Sequence, residues 1–347
     1  MATILFIVPR FHTNLWFATR ALVEAGHDVE IAAATVADGE DHSFVAPTDI
    51  GTTPDAAVVA ELMHRVSPEL VIVRGDEDLL QNVARAGRRI GARVLSYNLR
   101  PMTRVTPVMR RIKNLWQGRP RRRITPVPGL DARARRDPTA FHVPFPVAAL
   151  PHTATARDAD GGPRILCVGK IAQRRKNQHL LIDALRPLAS AGRPFRLTLI
   201  GSSDRAINGL DDDHSEALRA AARDEPWIDL HQDIPFERMA DLYAAHDICV
   251  LPSVGEPLGA APLEGMPYGT IPVVSTQAGA AGLIVDGETG LRVDVTRDGD
   301  LQEAMRRLLD DGELRGKLCA GARRFAETEL SPARYVARIE ALLPKGR

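Results

Sequence analysis

A chain of 347 residues, 44% hydrophobic and 26% charged, is too long for one ordinary domain, and that composition excludes a disordered polypeptide. The net charge of +1 hides an asymmetry: no Asp or Glu stands between Asp78 and Asp131, while 13 Arg and Lys residues run from Arg85 to Arg123. Cys167, Cys249 and Cys319 lie far apart with no C-x-x-C pair, which argues against a disulfide framework or zinc site and for buried thiols in a reducing compartment.

Ile4 to Val8 is far shorter than the ~20 residues of a membrane span, and no basic residue precedes it. It reads as a buried first strand, and the chain is expected to be cytoplasmic. Strands are expected at Thr3–Val8, Val29–Ala33, Leu70–Val73 and Arg93–Tyr97, with a helix from Asn14 to Ala25 that ends at Gly26. Between the first strand and that helix, His12, Thr13 and Asn14 either cap the helix or line an acceptor-side cleft. From Arg100 to Arg123 the cations are interleaved with Val105, Val108, Met109, Ile112, Leu115 and Trp116. That pattern suits an amphipathic surface helix with a solvated basic face, or a dock for an anionic acceptor or for the inner face of a membrane.

Ala148 to Pro163 lacks apolar periodicity and reads as a linker, which divides the chain into domains at 1–150 and 151–330. The α/β alternation restarts with Arg164–Val168, a helix near Gln178–Ala191, then Arg196–Ile200, Ile228–His231, Ile248–Leu251 and Pro272–Ser275. Such alternation is the signature of parallel sheets covered by helices. Asp211, Asp212 and Asp213 could pass for a cation site but read better as an acidic helix start, so no metal is expected. The closing stretch Ser331 to Leu343 reads as a helix that packs back onto the first domain. Neither a phosphate-binding G-x-x-x-x-G-K-[ST] loop nor a dinucleotide G-x-G-x-x-G turn is present.

The segment Asp247 to Gly290 is the most informative. A strand runs into the loop Val254-Gly255-Glu256-Pro257-Leu258-Gly259, and a helix start then carries Glu264. Ligands of open α/β sheets sit beyond the carboxyl ends of strands, where helix N-termini favour phosphate and carboxylates accept from hydroxyls. Taken alone, two such glutamates would be explained by a helix dipole and solvent.

Glu256-Pro-Leu-Gly-Ala-Ala-Pro-Leu-Glu264, followed by Gly-Met-Pro-Tyr-Gly-Thr-Ile-Pro and by Asp286-Gly-Glu-Thr-Gly, closely resembles the E-x7-E region of the retaining GT-B glycosyltransferases of family 4. Gly169-Lys170, Arg174-Arg-Lys176, Gly201-Ser202 and the loop around Ile234 resemble that family's other blocks, in the same order. The resemblance implies an α/β GT-B fold, two Rossmann-like doubly wound parallel-sheet domains facing across a cleft. It implies that Glu256 contacts the transferred sugar, Glu264 the ribose, and the Leu258, Gly259 and Ala260 amides with Lys170 and Lys176 the diphosphate. Gly169, Gly201, Ser202 and Ile234 would frame the donor.

The chain also departs from the family. Lys170 stands where Arg is usual, which keeps charge but loses the bidentate fork. Gly265 and Pro267 predict a short or kinked helix. No histidine follows the fourth strand, where Asn98 and Arg100 stand instead as acceptor-side candidates. The expectation is a retaining, metal-independent and cofactor-free glycosyltransferase that takes a UDP- more readily than a GDP-sugar. Its acceptor would be a glycan or glycolipid of envelope polysaccharide or lipopolysaccharide, with peripheral membrane contact through Arg100–Arg123. An epimerase or phosphorylase on the same fold is the alternative. A basic nucleic-acid-binding module is weaker, because it leaves the paired glutamates unexplained.

Overall fold

The computed structural model describes the chain except residues 12, 36–42, 132, 154–160, 203–209 and 345–347, and the side chains of Thr13 and Asn14. Two compact units emerge, Met1–Pro146 with Leu330–Arg347, and Val147–Glu329.

The first unit is a seven-stranded sheet ordered β3-β2-β1-β4-β5-β6-β7. Its strands are β1 (Thr3–Val8), β2 (Asp28–Ala33), β3 (Thr48–Asp49), β4 (Leu70–Val73), β5 (Arg93–Tyr97), β6 (Arg123–Thr125) and β7 (Ala140–His142). The pairings are parallel throughout. The central strands β1 and β4 read as unbroken apolar runs because helices cover both faces of a parallel sheet. Helices α1 (Thr13–Glu24), α2 (Ala56–Val66), α3 (Glu77–Ile90) and α4 (Val108–Trp116) follow their strands. The α3 start is set by Asp76, whose carboxylate accepts from the Leu79 N–H at 2.8 Å, with Glu77 and Asp78 in the first turn and Arg88 and Arg89 in the last. One core gathers Leu5, Ile7, Met63, Val71 and Val73.

The second unit is a six-stranded sheet ordered β10-β9-β8-β11-β12-β13, again parallel. Its strands are β8 (Arg164–Val168), β9 (Arg196–Gly201), β10 (Ile228–Gln232), β11 (Ile248–Leu251), β12 (Ile271–Ser275) and β13 (Leu291–Val293). Its helices are α5 (Gln178–Ser190), α6 (Asp212–Asp224), α7 (Met239–Ala245), α8 (Ala261–Gly265), α9 (Asp300–Asp310) and α10 (Gly312–Glu329). The last helix, α11 (Pro332–Glu340), belongs to the first unit and packs against α1.

The α8 helix is only five residues long and gives way to a 3-10 turn at Met266–Tyr268, where Pro267 removes a backbone donor. The Asp211 carboxylate caps α6 by accepting from the His214 N–H at 2.8 Å. Cys167 and Cys249 are buried, but Cys319 is only half-buried, because it sits on α10 beside the Gly269 turn rather than in a strand. Among the described residues no helix is long and apolar enough to cross a membrane. In each sheet the strand order reverses at one place, between β1 and β4 and between β8 and β11, and open α/β sheets bind ligands at the carboxyl ends of such strands.

Candidate functional site

At the reversal point of the second unit, β8 runs into Gly169 and Lys170. Gly169 donates its N–H to Ile200 O at 2.8 Å, and the buried Gln178 amide donates to both Gly169 O (3.2 Å) and Lys170 O (3.3 Å). A Cβ on Gly201 would lie 2.2 Å from Gly169 O, so only glycine lets the turns after β8 and β9 meet. The 3-10 turn Arg174–Lys176 ends at Asn177, which is left-handed (φ 56°). The Asn177 amide donates to Pro252 O at 3.0 Å, and Val254 N–H donates to Arg175 O at 2.9 Å. These two bonds tie the turn after β8 to the loop after β11.

Two cations are thereby delivered to one carboxylate. Lys176 Nζ lies 2.5 Å and Arg175 Nη1 3.0 Å from the same Glu256 oxygen, Oε2. The Lys176 and Glu256 side chains are only 14% and 11% exposed, so water screens this pair less than a surface pair. Glu256 is fixed from its backbone: its N–H donates to Gln277 O (3.3 Å) and its carbonyl accepts from Gly279 N (3.0 Å). Leu258 O accepts from Ala280 N at 2.8 Å. Gly259 has φ +79°, and a Cβ there would lie 2.2 Å from Leu251 Cδ2. Among the described residues, the N–H groups of Leu258, Gly259 and Ala260 donate no hydrogen bond, which leaves three successive amides beside the α8 start.

Glu264 lies further along α8. Burial pushes its carboxyl above the usual range, against the pull of the Tyr243 hydroxyl that donates to Oε2 at 2.9 Å. Tyr243 is stacked on Tyr268, which accepts from Leu150 N at 2.8 Å. Ile234 packs on the cluster of Leu166, Ile200 and Tyr243, while Asp233 N–H donates to Gly201 O at 3.1 Å, with Ser202 next in the chain. The predicted residues of this unit therefore gather at one end of one sheet. Arg175 and Tyr243 were missed; the Arg174-Arg175-Lys176 run was the available signal for the first, and nothing local marks the second.

The acceptor-side candidates fall differently. His12 lies outside the described residues, as does the side chain of Asn14. Asn98 and Arg100 meet in a network with Arg123 and Asp137, which sequence reading passed over. Arg123 Nη1 donates to Asn98 Oδ1 (3.1 Å) and to Arg100 O (2.7 Å), and Arg100 Nη2 donates to Thr106 Oγ1 (2.5 Å). Both guanidiniums face Asp137 Oδ2, at 3.3 Å from Arg100 and 3.5 Å from Arg123. Burial would raise the Asp137 pKa, but hydrogen bonds from Thr106 and Thr139 and the Arg123 charge outweigh it and hold the carboxyl at about 2. The network forms one side of a cavity of about 760 Å3. At the reversal point of this sheet the Arg74 guanidinium lies 5.4 Å over the Tyr97 ring.

Residues 162–311 match the family described as Glycosyl transferases group 1. A D-inositol 3-phosphate glycosyltransferase of Rhodococcus erythropolis is 32% identical over 162 residues, 46% of this chain and 36% of that protein. A glycogen synthase of Thioalkalivibrio sulfidiphilus is 30% identical over 171 residues, 47% of this chain and 34% of that protein. The chain thus spans little more than a third of the length of these curated relatives. Among solved structures, a glycosyltransferase of Rickettsia africae superposes with a TM-score of 0.75 at 14% identity, covering 98% of this chain and 97% of that one. Anabaena HepE, solved with UDP and glucose, superposes with a TM-score of 0.69 at 15% identity over 99% of both chains. These likenesses establish the fold as GT-B, with its two parallel Rossmann-like sheets. Gly169, Lys176, Gly201, Glu256 and Glu264 all fall inside the span, residues 162–311, that matches the group 1 glycosyl transferases.

Proposed function

We propose that the protein is a retaining glycosyltransferase that moves a sugar from a nucleotide diphosphate, UDP in preference to GDP, to an acceptor hydroxyl without a metal ion or other cofactor. The observation that carries this reading is the convergence of Lys176 and Arg175 on Glu256 where β8 and β11 end. Breaking a sugar–phosphate bond builds negative charge on the leaving diphosphate, and preorganised cations and amides lower that barrier. Lys170, Lys176 and the amides of Leu258, Gly259 and Ala260 take the diphosphate, and Glu256 turns to the sugar hydroxyls. Glu264 and Tyr243 receive the ribose, and Ile234 lies against the base. The preference for UDP is supported by the fold shared with HepE, which was solved with UDP and glucose.

The acceptor is a glycan or glycolipid of envelope polysaccharide or lipopolysaccharide assembly, carrying negative charge. The supporting feature is the cationic stretch Arg100–Arg123, through which the protein also touches the inner membrane face. A thermal-shift screen of UDP-, GDP- and ADP-sugars with and without chelator, followed by NMR of the anomeric product, tests the reading. Stabilisation by a UDP-sugar in chelator and a product of unchanged anomeric configuration are expected. No stabilisation by any sugar nucleotide would end the proposal, and an inverted anomer would end its stereochemical part.

A further inference from the structure

The cavity beside the carboxyl end of β5 and the amino end of β6 has an unusual lining: seven of its residues are arginines, and its acids are Asp76 and Glu77. Both acids are already engaged, Asp76 as the cap of α3 and Glu77 in an ion pair with Arg119. Arg100 and Arg123 share the single carboxylate of Asp137. Arg110, Arg111, Arg121 and Arg122 are exposed and form no ion pair among the described residues. Beneath them, the Nε–H groups of Arg100, Arg119 and Arg123 are buried without a protein partner, and Arg123 as a whole is only 5% exposed. A buried unpaired donor on a cation is expensive, and an anion that accepted from it would recover that loss. Burial, and then the Arg100 charge, both disfavour the charged Arg123, a strain that a nearby anion would relieve.

We propose that this cavity is an acceptor subsite for a phosphate monoester or diphosphate. The inference rests on the glycosyltransferase reading and names the acceptor's chemical class. Several planar forks converging on one pocket suit the tetrahedral, doubly charged oxygens of phosphate better than a single carboxylate. Beside Arg110 and Arg111, α4 contributes the apolar Val108, Ile112 and Leu115 to the lining, buries none of its residues, and ends in Trp116 at 88% exposure. The phosphate therefore belongs either to a lipid, whose hydrocarbon lies on α4, or to a soluble sugar phosphate.

The test begins with calorimetry of UDP binding to the full chain, since failure there counts against the donor reading and not against this one. Inorganic pyrophosphate is then titrated into UDP-saturated protein. One further site is expected, weakened at least about tenfold in Arg121→Ser/Arg122→Ser with UDP affinity unchanged, and weakened less than about threefold in Arg121→Lys/Arg122→Lys. The Arg110→Ser/Arg111→Ser pair on the exposed α4 repeats the test where packing is not at risk. Absence of pyrophosphate binding, or wild-type affinity in both serine pairs, overturns the proposal. Phosphatidylcholine vesicles with and without phosphatidic acid separate the two sources. Binding that needs phosphatidic acid and is lost in both the arginine pairs and Trp116→Ser assigns the phosphate to a lipid. No vesicle binding alongside intact pyrophosphate binding assigns it to a soluble ester. Single-stranded RNA that displaced pyrophosphate from the same arginines would overturn the assignment in favour of nucleic acid.

Discussion

In both units two cations meet one carboxylate oxygen: Lys176 and Arg175 at Glu256, Arg100 and Arg123 at Asp137. The surroundings differ. Asp137 is fully buried and also accepts at Oδ2 from the Thr106 N–H and hydroxyl and at Oδ1 from the Thr139 N–H and hydroxyl, so each oxygen is held by a backbone N–H and a hydroxyl besides the charge on Oδ2. The Glu256 carboxylate is bonded to its two cations, and Arg175 is 42% exposed. A carboxylate pinned by many short bonds serves as a structural post. One held by side-chain cations alone can hand them to an incoming diphosphate.

The strongest way to break this comparison is Asp137→Ala. It strands the buried Arg123 and the half-buried Arg100 guanidiniums and should lower unfolding free energy by about 3–5 kcal/mol in urea melts. A change under ~1 kcal/mol would remove Asp137 from its structural role. Because its carboxyl is held at about 2, below the 3.8 of an unfolded chain, its contribution is present above that higher value and fades as pH falls toward 2. The stability gap between wild type and Asp137→Ala should close over that interval. Glu256→Ala should show the opposite profile, with turnover down about 100-fold and a stability loss less than half that of Asp137→Ala. Equal stability losses in the two variants would erase the distinction.

Smaller effects sharpen the picture. Gly201→Ala forces a methyl against Gly169 O and should lower stability by about 1–3 kcal/mol, with a parallel rise in KM for the donor. Glu264→Gln trades a charged acceptor for a neutral one and should weaken UDP about fivefold. Since burial raises the Glu264 carboxyl above the ordinary 4.5, the native chain holds its proton longer than the unfolded one, and wild-type stability declines as pH climbs past that value. The glutamine variant lacks that decline, so its melting temperature relative to wild type should increase from pH 4 to pH 7. A flat difference would show that Glu264 is better solvated than its packing implies.

The long strands were legible because four or more consecutive apolar residues, as in β1, β4 and β11, can be read without neighbours. Strands β3, β6 and β7, two or three residues each, were not, since so short a run has no period and exists only through its pairing. The family resemblance singled out Glu256 and Glu264. It could not reveal Tyr243, whose hydroxyl reaches Glu264 from another helix, or Asp137, which meets Arg100 across 37 positions. Asn98 and Arg100 were found by place rather than partner, so the cavity they border emerged only with the fold.

The return of α11 to the first unit has a bearing on biogenesis. Tyr335 and Ile339 are buried on that helix, and Glu340 lies 3.3 Å from His27. The second unit is one uninterrupted stretch, Val147–Glu329, whereas the first needs residues made after it. During vectorial synthesis the first unit, though made first, cannot close until this last helix has been made, which leaves α1 uncovered to chaperones in the meantime.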